Sequence, residues 1–181
     1  MRRLSREYGL EVRWLAFPLH PETPEEGRSL EALFAGRGLD IPSLLERLAE
    51  VAAQEGLPWG PRSMTYNSRR AQELAKWAER QGRGDDYHEA MFRAYFADGL
   101  NIALPSVLGK VLANLGLDAQ AGLAALATGE YAPAVDQDWA RSRALGISAV
   151  PTFRAGDHGV VGAQPYATLE KLARRAGASP R

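Results

Sequence analysis

The chain has 181 residues, with 22 Lys and Arg against 22 Asp and Glu, a net charge of zero, and no cysteine. The even charge gives neither nucleic acid nor an anionic membrane surface anything to grip, and the missing thiols exclude structural disulfides, zinc–thiolate sites and thiol-based mechanisms from these residues. The length fits one domain, or one domain with a large insertion, and suffices to bury a sizeable core.

Taken in order, Arg2 to Tyr8 reads as the tail of a helix with Gly9 as its stop. No apolar run is long enough for a membrane span, and the N-terminus MRRLSREYGLEV lacks the apolar core of a signal peptide, so a cytoplasmic location is expected. The stretch Leu10 to Leu19, LEVRWLAFPL, alternates and is rich in β-formers; Val12, Trp14 and Ala16 share one side, which predicts a strand ending at Pro18. A polar loop, HPETPEEGRS, follows.

From about Leu30 to Leu126 the apolar period becomes helical. Ile41 to Glu55 carries Leu44, Leu45, Leu48, Val51 and Ala52 on one stripe, with Pro42 and Ser43 at a suitable start. In NSRRAQELAKWAERQG, Asn67 or Ser68 is the predicted N-cap, Ala71, Leu74, Ala75 and Ala78 form the apolar face, and Gly82 is the stop. Further helices are predicted over Asp86 to Asp98, Leu104 to Leu115, Asp118 to Ala127 and Ala132 to Leu145. Strand character returns at Ile147 to Phe153 and Gly159 to Val161, and Tyr166 to Ala176 is a last amphipathic helix. This order predicts one α/β unit in which the strand at 10–17 and the C-terminal pair share a sheet, interrupted by a helical insertion.

Pro151 interrupts the C-terminal strand run AVPTF. A proline there removes a ladder donor, so it begins an edge strand in the ordinary trans form or sits in a cis bend.

Several motifs together resemble one family. GISAVPTF, the hairpin return GVVGAQP and the helix YATLEKLARRAG resemble the C-terminal half of thioredoxin-fold proteins of the DsbA superfamily, specifically its FrnE-like branch. EVRWLAFPLHPETPEEGRSL, MTYNSRRAQELAKWAERQGR and MFRAYFADGLNI continue the resemblance upstream, although Gln72 stands where that branch has His. The resemblance implies a thioredoxin-like α/β fold as one unit over 1–181, with thioredoxin parts at about 1–28 and 146–181 and a helical insertion at about 29–145. It implies a thiol–disulfide oxidoreductase or isomerase needing no cofactor, and a cis Pro151. The loop Ala149, Val150 and Pro151 would bind an extended peptide or a protein thiol or disulfide substrate by strand addition.

The family's first strand and its Cys-x-x-Cys pair have no counterpart in the sequence, so no catalytic residue is assigned. A thiolate is the nucleophile of thiol–disulfide exchange, and this chain as given is expected to be redox-inactive. Met1 as an internal methionine is the favoured explanation, a natural cysteine-free derivative the other. Without that strand the gap would close by direct pairing, be filled by a swapped strand in a homodimer, or remain as a groove. The alternative functions are a glutathione-dependent isomerase or kappa-class glutathione transferase-like enzyme, and a non-catalytic peptide-binding module.

Other candidates read as structural. His20, His88 and His158 share no ligand spacing, so no metal is expected. Asp157 belongs to a hairpin turn with Gly156 and Gly159. Trp14, Trp77, Phe92, Tyr95 and Phe96 read as core or interface, the Gly36 and Gly82 segments lack the context of a phosphate loop, and Glu22, Glu25 and Glu26 form a solvated loop.

Overall fold

Helix ends fall where local chemistry writes them. In the computed structural model, which describes all 181 residues, the elements run α1 (Arg2–Tyr8), β1 (Arg28–Ser29), α2 (Leu30–Leu33), α3 (Ile41–Gln54), β2 (Met64–Thr65), α4 (Arg69–Arg80) and α5 (Gly84–Phe92). A π-helical turn, Arg93–Ala97, follows, then α6 (Pro105–Asn114), α7 (Ala119–Ala127), α8 (Ala132–Ala144), β3 (Thr152–Ala155), β4 (His158–Val161) and α9 (Tyr166–Arg175). Asp40 and Asp118 cap α3 and α7 by accepting the N–H of Ser43 and Ala121. No helix is long and apolar enough to cross a membrane. The chain forms two compact units, 1–19 with 137–181, and 20–136.

The 20–136 unit is built on helix packing. Its core joins Leu74, Trp77 and Ala78 of α4, Tyr87 and Met91 of α5, and Leu108 and Leu112 of α6. Helix α7 comes so near that a Cβ on Gly122 would stand 2.6 Å from Leu112 Cδ1 and 3.3 Å from the Trp77 ring, so glycine is what this approach allows. Tyr87 is fully buried and donates its hydroxyl to Ala71 O at 3.2 Å; burial drives its pKa upward. The sequence predicts a loop and helices here and no strand, yet Arg28 and Ser29 pair antiparallel with Thr65 and Met64. The stripe on α3 is also less buried than its periodicity suggests: Ile41 and Ala52 are buried, whereas Leu48 and Val51 stay 40% and 49% exposed.

The π-helical turn breaks the predicted helix 86–98 at its last third. Asp98 N donates to Arg93 O, five residues back, and Leu100 N to Ala94 O, so Phe96 O is free to accept Gly60 N at 2.9 Å. The loop before β2 lies so tightly on this turn that a Cβ on Gly60 would be 1.9 Å from Ala97 O.

Asn67 secures the start of α4 by accepting Arg69 N at 2.8 Å and donating to Thr23 O at 2.7 Å. Arg69 spreads its guanidinium over Glu73 (2.6 Å), Asp136 (2.6 Å) and Ala132 O (3.0 Å).

The other unit holds α1, most of α8, the β3–β4 hairpin and α9. The predicted strand over 10–17 is absent as a strand: these residues have no ladder partner, and the only sheet of this unit is the two-stranded hairpin. A β-rich run becomes a strand only when a neighbour accepts its backbone groups. At Ala16 two side chains of α8 take that place: Asp138 Oδ2 accepts Ala16 N–H at 3.0 Å, and Ser142 Oγ donates to Ala16 O at 3.4 Å. Both side chains belong to residues more than nine-tenths buried.

Candidate functional site

The loop that enters β3 leaves α8 through Gly146, whose φ of 66° suits a residue without a Cβ. The Val150–Pro151 peptide bond is cis. Ala149, Val150 and Pro151 stand together on the surface, and Val150 is 42% exposed.

Two hydrogen bonds hold this loop to the hairpin. Thr152 Oγ1 donates back to Ala149 O at 2.6 Å, and Gly162 N donates to Pro151 O at 2.7 Å. The carbonyls on either side of Val150 are therefore occupied. The N–H and C=O of Val150 itself have no partner within the chain. One residue thus presents an adjacent donor and acceptor from a braced, exposed backbone, which is half of a β-bridge.

Strand β3 continues from this loop in register with β4, Thr152 opposite Val161 and Arg154 opposite Gly159. Alternation puts these four residues on one face. They line a groove of about 250 Å³ whose other wall is the segment Leu145 to Ser148. Arg154 makes no ion pair there, and Val161 is 56% exposed. Helix α9 packs against both strands.

Helix α9 is in turn fixed to α1 by two tyrosine–carboxylate bonds. Tyr8 donates to Glu170 and Tyr166 donates to Glu7. Arg174 Nε reaches Tyr8 Oη at 3.0 Å and its Nη2 reaches Glu170 at 3.0 Å, while Arg3 Nε bonds Glu7 at 2.8 Å and the Arg3 Cζ lies 4.1 Å from the Tyr166 ring centre. The tyrosine hydroxyl first and the arginine second hold each carboxyl below its usual range. The Glu7 carboxylate pushes Tyr166 up to about 12, and Glu170 raises Tyr8.

The histidines stay apart. His20 lies 3.7 Å from Glu22, His88 lies 3.7 Å from Glu79, and His158 belongs to β4; no three His, Cys, Asp or Glu form a cluster that could hold a metal. Trp77 is core, as its helical spacing predicts, but Tyr95 and Phe96 gather with Trp59 around Arg62. Arg62 went unnoticed in the sequence because its partners come from a turn about thirty residues away.

The family model described as a DSBA-like thioredoxin domain matches residues 1–173. The chain belongs to the DsbA-like thioredoxin-domain family. Among solved structures, a probable DsbA oxidoreductase from Streptomyces coelicolor is 28% identical with a TM-score of 0.86, covering 93% of this chain and 76% of that one. A 2-hydroxychromene-2-carboxylate isomerase, 23% identical with a TM-score of 0.78, covers 96% of this chain and 85% of its own and shares the fold. No curated protein matches the sequence. In this DsbA-like chain the helix-rich fold is present and cysteine is absent from the sequence.

Proposed function

We propose that this DsbA-like chain docks an extended polypeptide by strand addition at Val150, in the service of thiol–disulfide exchange or isomerisation of the FrnE-like kind. The observation that carries the reading is the unpartnered N–H and C=O of Val150 between two carbonyls already tied down by Thr152 and Gly162. A substrate backbone pairing there gains two hydrogen bonds without first breaking any in the protein. The bracing means little ordering cost falls on the loop when the peptide arrives. The 28% identity to a probable DsbA oxidoreductase supports substrates that are protein thiols or disulfides. The residues assigned to docking are Ala149, Val150 and Pro151.

The redox step itself needs a thiolate nucleophile, which these 181 residues do not contain. Docking and turnover are therefore separable. Fluorescence anisotropy with a labelled extended peptide carrying an S-alkylated cysteine is expected to show saturable binding, in about the 10–100 μM range typical of small strand-addition contacts. Methylating the backbone nitrogen of the peptide residue that pairs with Val150 is expected to weaken binding about tenfold, the equivalent of one lost hydrogen bond. Insulin reduction by the same chain is expected to run at the uncatalysed rate. Binding that ignores N-methylation, or no binding at about 1 mM peptide, would sink the docking site.

A further inference from the structure

We propose that Arg62 anchors a second ligand site, in the 20–136 unit, that accepts a small carboxylate. The loop carrying Arg62 is fixed by the Gly60 contact with the π-helical turn, and that contact stacks Trp59 on Phe96 at 5.6 Å. The Arg62 guanidinium lies 4.5 Å from the Tyr95 ring centre, 4.8 Å from Phe96 and 5.9 Å from Trp59. Three aromatic faces hold a cation in place by attraction to the π-electrons and by packing.

They do not satisfy its hydrogen bonds. A guanidinium carries five N–H donors and takes planar, two-pronged acceptors. Within the chain Nη2 bonds Tyr95 Oη at 2.8 Å, Nε is buried with no acceptor, and no carboxylate forms an ion pair with this arginine. Other half-buried arginines of this unit, Arg69, Arg70 and Arg83, each meet a carboxylate. A half-buried charge without a counter-ion is costly, and an anion removes that cost.

There is room for one. Arg62 lines a cavity of about 70 Å³ together with Ser63, Tyr66, Tyr95, Met64 and Gly99. That space suits a group the size of a carboxylate. Ser63, Tyr66 and Tyr95 in the lining each carry a hydroxyl, a group able to donate to an oxyanion. Tyr95 is itself positioned, its hydroxyl lying 3.0 Å from Thr65 Oγ1. The arrangement sits on a π-helical turn, the type of helix irregularity that recurs at ligand sites.

The test is a titration of the full chain with acetate, followed by ¹H–¹⁵N NMR, with chloride at equal ionic strength as reference. Saturable shifts are expected at the amides of Ser63 and Gly99 and at the Arg62 Nε–H, with a dissociation constant of about 1–10 mM, as weak as so few ligand atoms imply. Arg62→Lys, which keeps the charge but not the fork, is expected to weaken binding about fivefold, and Arg62→Gln to abolish it. Shifts at about 100 mM acetate no larger than those from chloride would overturn the site on wild-type protein alone, even if the variants fail to fold. Unchanged titration of Arg62→Gln would also overturn it, and tighter binding of inorganic phosphate than acetate would overturn the carboxylate assignment.

Discussion

Asp138 holds Ala16 by its backbone, the carboxylate oxygen 3.0 Å from the amide nitrogen of a residue 122 positions earlier in the chain. Asp138 is 4% exposed and the bond is part-buried, so its loss leaves the Ala16 N–H without this acceptor. Asp138→Ala is expected to lower stability by about 1–3 kcal/mol, and Asp138→Asn by less, since the amide oxygen still accepts. Urea denaturation followed by circular dichroism measures both. Equal losses in the two variants would show that the carboxylate acts through its charge and not through this bond.

Arg69 tests whether geometry or charge holds the start of α4. Its fork meets two carboxylates and a carbonyl, and the Glu73 side chain is only 11% exposed. Lysine keeps the charge but cannot serve three acceptors in one plane. Arg69→Lys is expected to cost about 1–3 kcal/mol in the same denaturation assay, most of it from the partly buried Glu73 left short of a donor.

The contact between α1 and α9 predicts two pH limits. Glu7 and Glu170 have folded pKa values below their ordinary 4.5, so their contribution is present above that value and is lost as pH falls through the lowered one. Tyr166 is raised from 10 to about 12, so its contribution is full below pH 10 and disappears as pH rises through about 12. The stability difference between wild type and the double variant Glu7→Gln, Tyr166→Phe is therefore expected to be flat from about pH 5 to 10 and to shrink at both ends. Glu7 is exposed and Glu170 and Tyr166 are partly so, and the effect is expected to be small and weakened by salt. A difference that does not change with pH would refute the assignment.

Thr152 closes the docking loop through Ala149 O. Thr152→Val keeps the shape and removes the donor, and peptide affinity is expected to fall about two- to tenfold with little change in melting temperature. An unchanged affinity in the anisotropy assay would mean that the loop holds its shape without this bond.

Sequence reading succeeded where the determining residues are neighbours. Asp118 before an apolar run, Gly82 after one, and Asn67 ahead of α4 act within a few positions, and the structure places helix ends beside them. The proline at 151 left trans and cis both open on local grounds, and the resemblance implied the cis bond that the structure has. The strand over 10–17 was misread because alternation reports what a strand needs and not whether a partner is there. The Arg62 cluster and the Asp138–Ala16 bond depend on residues brought together only by folding, and no local pattern announces them. The uncovered stripe on α3 shows the converse: Leu48 and Val51 keep perfect helical spacing while remaining exposed.

The π-helical turn at Arg93–Ala97 amounts to one residue too many in a single long helix. Deleting one residue from it would let the ladder close into a regular α-helical turn, because the wider turn is what accommodates the extra residue. The register in which Phe96 O meets Gly60 N and Tyr95 meets Arg62 depends on that extra residue. In comparisons between members of this family, a one-residue gap at this point would therefore mark chains in which the aromatic seat for Arg62 is not built in this way.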